Sequence, residues 1–145
     1  MPPVPNAVDP RGPRLGAWIT TVVLAVVLLT SSGWLLAVQA VVFALGAFAG
    51  LRYAPYGVLY RVFVAPRLAP PTEFEDAAPP RFAQGVGFVF AAVGTLGYLA
   101  GIPALGHTAT ALALIAAFLN AAFDYCLGCQ LYLLMTRLMT RTGAP

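Results

Sequence analysis

The chain has 145 residues, of which 60% are hydrophobic and 9% charged, with a mean hydropathy of +0.83. A water-facing surface needs roughly a quarter of its residues charged, so a soluble catalytic domain is excluded and one membrane domain over 1–145 is expected. The net charge of +3 does not point to nucleic acid, because no basic stripe is interleaved with aromatics.

Residues 1–14 are rich in proline, carry Asp9, Arg11 and Arg14, and read as a short polar arm. Ala37-Val38-Gln39-Ala40 imitates a signal-peptidase site. Cleavage there would leave a chain beginning inside a second apolar run, so the first run is read as a retained helix. A crossing needs about 20 mostly apolar residues, and spans are predicted over 16–29, 34–51, 82–102 and 108–128. Trp18, Trp34, Tyr53, Tyr56 and Tyr60 fit interfacial aromatic belts. Gly46/Gly50 and Gly97/Gly101 are G-x-x-x-G pairs of the kind that lets helices approach closely.

Between the second and third spans, residues 52–81 form a segment of another kind. Val58, Leu59, Val62 and Phe63 share one helical face in a stretch too short to cross, which predicts an interfacial helix ended by Pro66. Pro70 to Arg81 follows as a flexible, proline-bounded acidic loop. The fourth apolar run continues to about Met135, too long for one untilted crossing at about 1.5 Å per residue. Either it tilts or it leaves the membrane near Asp124.

All eight basic residues are arginine, at 11, 14, 52, 61, 67, 81, 137 and 141. Each lies before span one, between spans two and three, or after span four; the turns at 30–33 and 103–107 hold none. Four crossings put every arginine on one side, which marks the cytoplasm.

Cys126-Leu127-Gly128-Cys129 contains the only cysteines. At this spacing the thiols share a helical face and could form a disulfide, bind a soft metal, or simply pack as small hydrophobes. A structural zinc needs about four ligands, and His107 is the only histidine, so no metal site is expected. The cytoplasmic placement argues against a permanent disulfide and for a cycling pair. Asn120 and Asp124 lie one turn apart. On a continuous helix Asp124 faces away from the cysteines. If the helix breaks, Asp124 becomes a natural cap and Cys126 falls in a first turn, where the dipole lowers thiol pKa. An interfacial polar role for Asp124 is the favoured of these two. His107 reads as an interfacial residue of the outer turn. Arg67, Glu73, Glu75, Asp76 and Arg81 read as a solvated, partner-facing patch.

Val8 to Arg14, Pro66 to Asp76, Pro79 to Gly87 and Cys126 to Cys129 together resemble the family catalogued as domain of unknown function 4395, over nearly the whole chain. The resemblance implies a small bacterial, actinobacterial-type inner-membrane protein with thioredoxin-like or sulfurtransferase-like neighbours. In the family pattern a small residue precedes the aromatic before the first cysteine and an acid follows the second. Asp124 and Gln130 stand there instead, so no carboxylate after the motif is carried over.

The resulting expectation is an all-α integral membrane protein with four transmembrane helices, an interfacial helix between spans two and three, and both termini in the cytoplasm. Its expected function is thiol-redox or sulfur transfer by Cys126 and Cys129, helped by Asp124, with no cofactor. The expected partners are membrane lipid, a soluble cytoplasmic thioredoxin-like or sulfurtransferase-like protein, and a second copy. The rivals are a scaffold subunit with no chemistry and a small dimeric permease using the Asn120–Asp124 face.

Overall fold

A computed structural model describes residues 7–143; residues 1–6 of the predicted polar arm lie outside the described residues. The chain is helical almost throughout. α1 spans Arg11–Thr30, α2 Gly33–Ala44, α3 Pro55–Leu59, α4 Ala78–Leu99, α5 Pro103–Phe123 and α6 Leu127–Gly143. Two short strands, β1 (Ala7–Val8) and β2 (Glu75–Asp76), pair antiparallel with Ala7 opposite Asp76 and Val8 opposite Glu75.

α1 begins earlier than hydrophobicity alone predicts because Asp9 satisfies its first turn. The Asp9 carboxylate accepts the Arg11 amide at 3.0 Å, and Pro13 sits where a missing N–H costs nothing. Ser31, in the left-handed region at φ 52°, ends α1, and the Ser32 hydroxyl accepts the Leu35 amide at 3.1 Å to start α2. α2 continues as a π turn over Leu45–Ala49, and Gly50 stops it at φ 112°. After a 3-10 turn at Leu51–Tyr53, the helical run 55–67 comprises α3, a second π turn (Tyr60–Val64) and a closing 3-10 turn at Ala65–Arg67.

α1, α4 and α5 are each long and apolar enough to cross a bilayer, whereas the apolar run Gly33–Ala49 is shorter. Large apolar side chains cover the outside of the bundle as well as filling part of its core. Leu24, Val27, Leu36, Phe43, Ala40, Ala91 and Ala113 form the core, while Leu29, Trp34, Phe48 and Leu96 are 66–86% exposed. An apolar exterior suits lipid as the solvent, where close backbone approach replaces a hydrophobic driving force between helices. α4 is the central helix, packed on α2, α5 and α6, and α1 packs chiefly on α5. A Cβ added at Gly97 would lie 2.7 Å from the Gly106 backbone nitrogen, so α4 and α5 meet almost backbone to backbone.

Long-range bonds gather the arginine-bearing segments at one end. The Arg11 Nη2 donates to the Ala69 carbonyl at 3.0 Å, and Arg14 Nε to the Ala121 carbonyl at 3.0 Å. Arg81 closes the end of α2, donating to the carbonyls of Ala47 at 2.6 Å and Phe48 at 3.0 Å.

Candidate functional site

The fourth apolar run does not continue as one helix. Phe123 ends α5, and Asp124 takes a left-handed conformation at φ 55°. An aspartate tolerates that conformation better than most side chains. Three residues later α6 starts in a new direction. Cys126 stands immediately before it and supplies the cap. Its sulfur accepts the Cys129 amide at 3.1 Å, and its carbonyl accepts the Gln130 amide at 3.0 Å. Asp124 is thus the C-cap of the old helix rather than the cap of the new one.

Cys126 and Cys129 are joined as a disulfide, with Cα atoms 5.1 Å apart. Both are half-buried, amid exposed Phe123, Tyr125 and Leu127. Gly128 explains how the pair is held. A Cβ there would lie 2.5 Å from Ala83 Cβ and 2.6 Å from Ala83 Cα, so the motif lies directly on the first turns of α4. Phe82 and Tyr132, with ring centroids 5.7 Å apart, secure the same contact one turn further along α6.

The acidic loop reaches this site through β2. Crowding raises the Glu75 carboxyl above its ordinary value, and the negative charge of nearby Asp124 adds to the shift. Glu75 and Asp124 therefore stand near each other beside the helix break. Three of the other residues of the predicted partner-facing patch bond to backbone groups. Asp76 accepts the Ala78 amide at 3.0 Å, Arg67 donates to the Phe63 carbonyl at 2.8 Å, and Arg81 serves α2 as described. Glu73 is exposed. His107 is not in a turn but inside α5, bonded through Nδ1 to the Tyr98 hydroxyl at 2.9 Å. Asn120 stays on α5, half-buried.

A second polar cluster was not anticipated from the residues. Asp9 accepts bonds from the Arg11 guanidinium at 3.0–3.2 Å and from the Tyr60 hydroxyl at 2.6 Å. Partial desolvation would raise the Asp9 carboxyl, but these bonds outweigh it and hold the carboxyl below its ordinary value. Tyr60 is buried, against Gly12. Deeper still, the Tyr56 hydroxyl donates to Gln39 Oε1 at 2.6 Å, tying α3 to α2. Asp9 followed by Pro10 was a readable helix-start signal. Tyr60 carried none, because its partner lies far away in sequence.

No curated protein and no solved structure matches the chain. The family model described as domain of unknown function (DUF4395) matches residues 8–137. The match runs from β1 into α6 and takes in both polar clusters and both cysteines, so the chain belongs to the DUF4395 family.

Proposed function

We propose that this protein is a membrane-bound thiol–disulfide relay acting at the cytoplasmic face of a bacterial inner membrane. The observation that carries the reading is the placement of Cys126: its sulfur caps α6 and accepts the Cys129 N–H at 3.1 Å. A thiolate there is stabilised by a backbone donor and by the helix dipole, the conditions that depress a thiol pKa. Cys126 is then the attacking sulfur and Cys129 the resolving one.

In the reduced protein, the Cys126 thiolate attacks a partner disulfide, forming a mixed disulfide and expelling one partner thiolate. Cys129 loses its proton and attacks the Cys126 sulfur, which releases the second partner thiolate and leaves Cys126–Cys129 oxidised. Two electrons pass to the partner, and the reverse sequence reduces the pair. With a persulfide donor, Cys126 takes the outer sulfur and the donor leaves as a thiolate.

The same reading makes the chain a four-span protein with both termini in the cytoplasm. The run Gly33–Ala49 counts 17 residues, the lower end of what crosses a hydrocarbon core (about 17–25 residues). The gathering of arginine-bearing segments at one end of the bundle supports an even number of crossings. The stretch 55–67, with Val58, Leu59, Val62 and Phe63 exposed, lies in the interface. The partner is a soluble thioredoxin-like or sulfurtransferase-like protein that docks beside residues 66–81, where Glu75 of β2 comes near Asp124, two residues before Cys126.

The test is trapping. Cys129→Ser accumulates a mixed disulfide with a thioredoxin-class protein, whereas Cys126→Ser and the double variant do not. Full complementation of a deletion strain by the double serine variant would sink the proposal.

A further inference from the structure

The end of the bundle that bears the arginines also contains a cavity of about 810 Å³. Its size lies within the range of ligand clefts, about 300–1,000 Å³. Both π turns border it, through Ala49 on one side and Tyr60 and Arg61 on the other, and such turns recur at functional sites. Three guanidinium groups line it: Arg52, Arg61 and Arg81. The lining carboxylates are Asp9 and Asp76. Asp9 is already neutralised by Arg11 at 3.0 Å, which leaves Asp76 alone against three positive charges.

Those guanidiniums have no carboxylate partner among the described residues. Arg61 donates through Nη2 to the Arg52 carbonyl, and Arg81 spends Nε and Nη2 on the end of α2. Each guanidinium has five N–H donors, so most remain available, and those of Arg52 are wholly unspent among the described residues. A pocket walled by unspent planar forks is complementary to a phosphate group. Beside Arg61, on the same helical run, Val62 and Phe63 are each 57% exposed. They offer apolar surface next to Arg61 in the chain.

From these features we propose that the cavity is a binding site for the phosphate headgroup of an anionic phospholipid, whose acyl chains lie along Val58, Val62 and Phe63. The site is independent of the cysteine chemistry. Arg52 and Arg61 hold the headgroup, and Arg81 contributes its remaining donors while closing α2.

The full chain, purified in uncharged detergent and exposed to phosphatidylglycerol or phosphatidylcholine, is examined by native mass spectrometry. Wild type retains phosphatidylglycerol in preference to phosphatidylcholine. Arg52→Gln with Arg61→Gln reduces that retention roughly tenfold, Arg52→Lys restores part of it, and Arg137→Gln with Arg141→Gln changes it less than about twofold. Arg52 makes no side-chain bond among the described residues, so the single Arg52→Gln variant keeps the fold and shows an intermediate loss. Equal loss in both arginine pairs would reduce the site to general surface charge and overturn it. Inorganic phosphate bound with Arg52 dependence, and no retained phosphatidylglycerol, would overturn the lipid assignment in favour of a soluble phosphate.

Discussion

At the entrance to α1, Asp9 receives the backbone of its own helix, the guanidinium of Arg11 and the hydroxyl of Tyr60. Removing only the last of these, in Tyr60→Phe, costs about 1 kcal/mol and is checked by thermal unfolding in detergent. The cluster also dictates a pH response. Because the folded-state pKa of Asp9 is lowered, its stabilising contribution is complete above the ordinary carboxylate value of about 3.9. It disappears as pH falls through the lower folded value. Unfolding temperature measured from about pH 4 down to about pH 2 therefore falls more steeply in wild type than in Asp9→Asn. For the cysteines, the reduced protein alkylates at Cys126 with a midpoint below the free-thiol value of about 8.5, and Cys129 reacts more slowly. Equal rates at both sulfurs would remove the reason for calling Cys126 the attacking residue.

Among the helices, the glycines divide into two kinds that one sequence motif does not distinguish. In each G-x-x-x-G pair the first glycine packs and the second turns the chain. Gly46 lies against Gln84 and Gly97 against Gly106, while Gly50 and Gly101 have φ of 112° and 79° with open space beside them. Gly97→Val must push α4 off α5 and costs about 1–3 kcal/mol or more. Gly85→Ala, whose new methyl meets only Ala47 at 3.8 Å, raises the unfolding temperature by a few degrees, because alanine inside a helix is about 0.5–1 kcal/mol better than glycine. Gly128→Ala is the element-scale test of the cysteine site. Its methyl has no room against Ala83, so α6 lifts from α4, and faster alkylation at Cys129 reports the displacement.

Across the whole molecule, the arginines separate one end of the bundle from the other. In intact cells an impermeant maleimide added outside leaves Cys126 and Cys129 unlabelled after reduction, whereas a permeant one labels both. Labelling by the impermeant reagent would reverse the orientation and remove the cytoplasmic partner with it. The two polar clusters, the cavity and the cysteine pair all belong to the arginine-bearing end. Tyr98, at the end of α4, and His107, near the start of α5, lie at the opposite end, with His107 about 24 Å from Phe123 at about 1.5 Å per residue.

The membrane character, the helical class, the approximate position of each apolar run and the cysteine spacing were legible in the residues alone, because hydrophobicity and i, i+3 spacing are local properties. The break after Phe123 was legible only as an alternative. A long apolar run can tilt or fold back, and what selects folding here is the left-handed Asp124 together with the fit of Gly128 on Ala83. The pairing of β1 with β2 replaced an expected flexible loop, since two-residue strands have no periodicity to read and form only when α1 and the 66–81 segment are already adjacent. The meeting of Asp9 with Tyr60, of Glu75 with Asp124, and of three arginines around one cavity likewise depends on residues distant in sequence. Such contacts are decided by how α1, α4 and α5 pack, and the small residues that permit that packing do not announce which helix they will face.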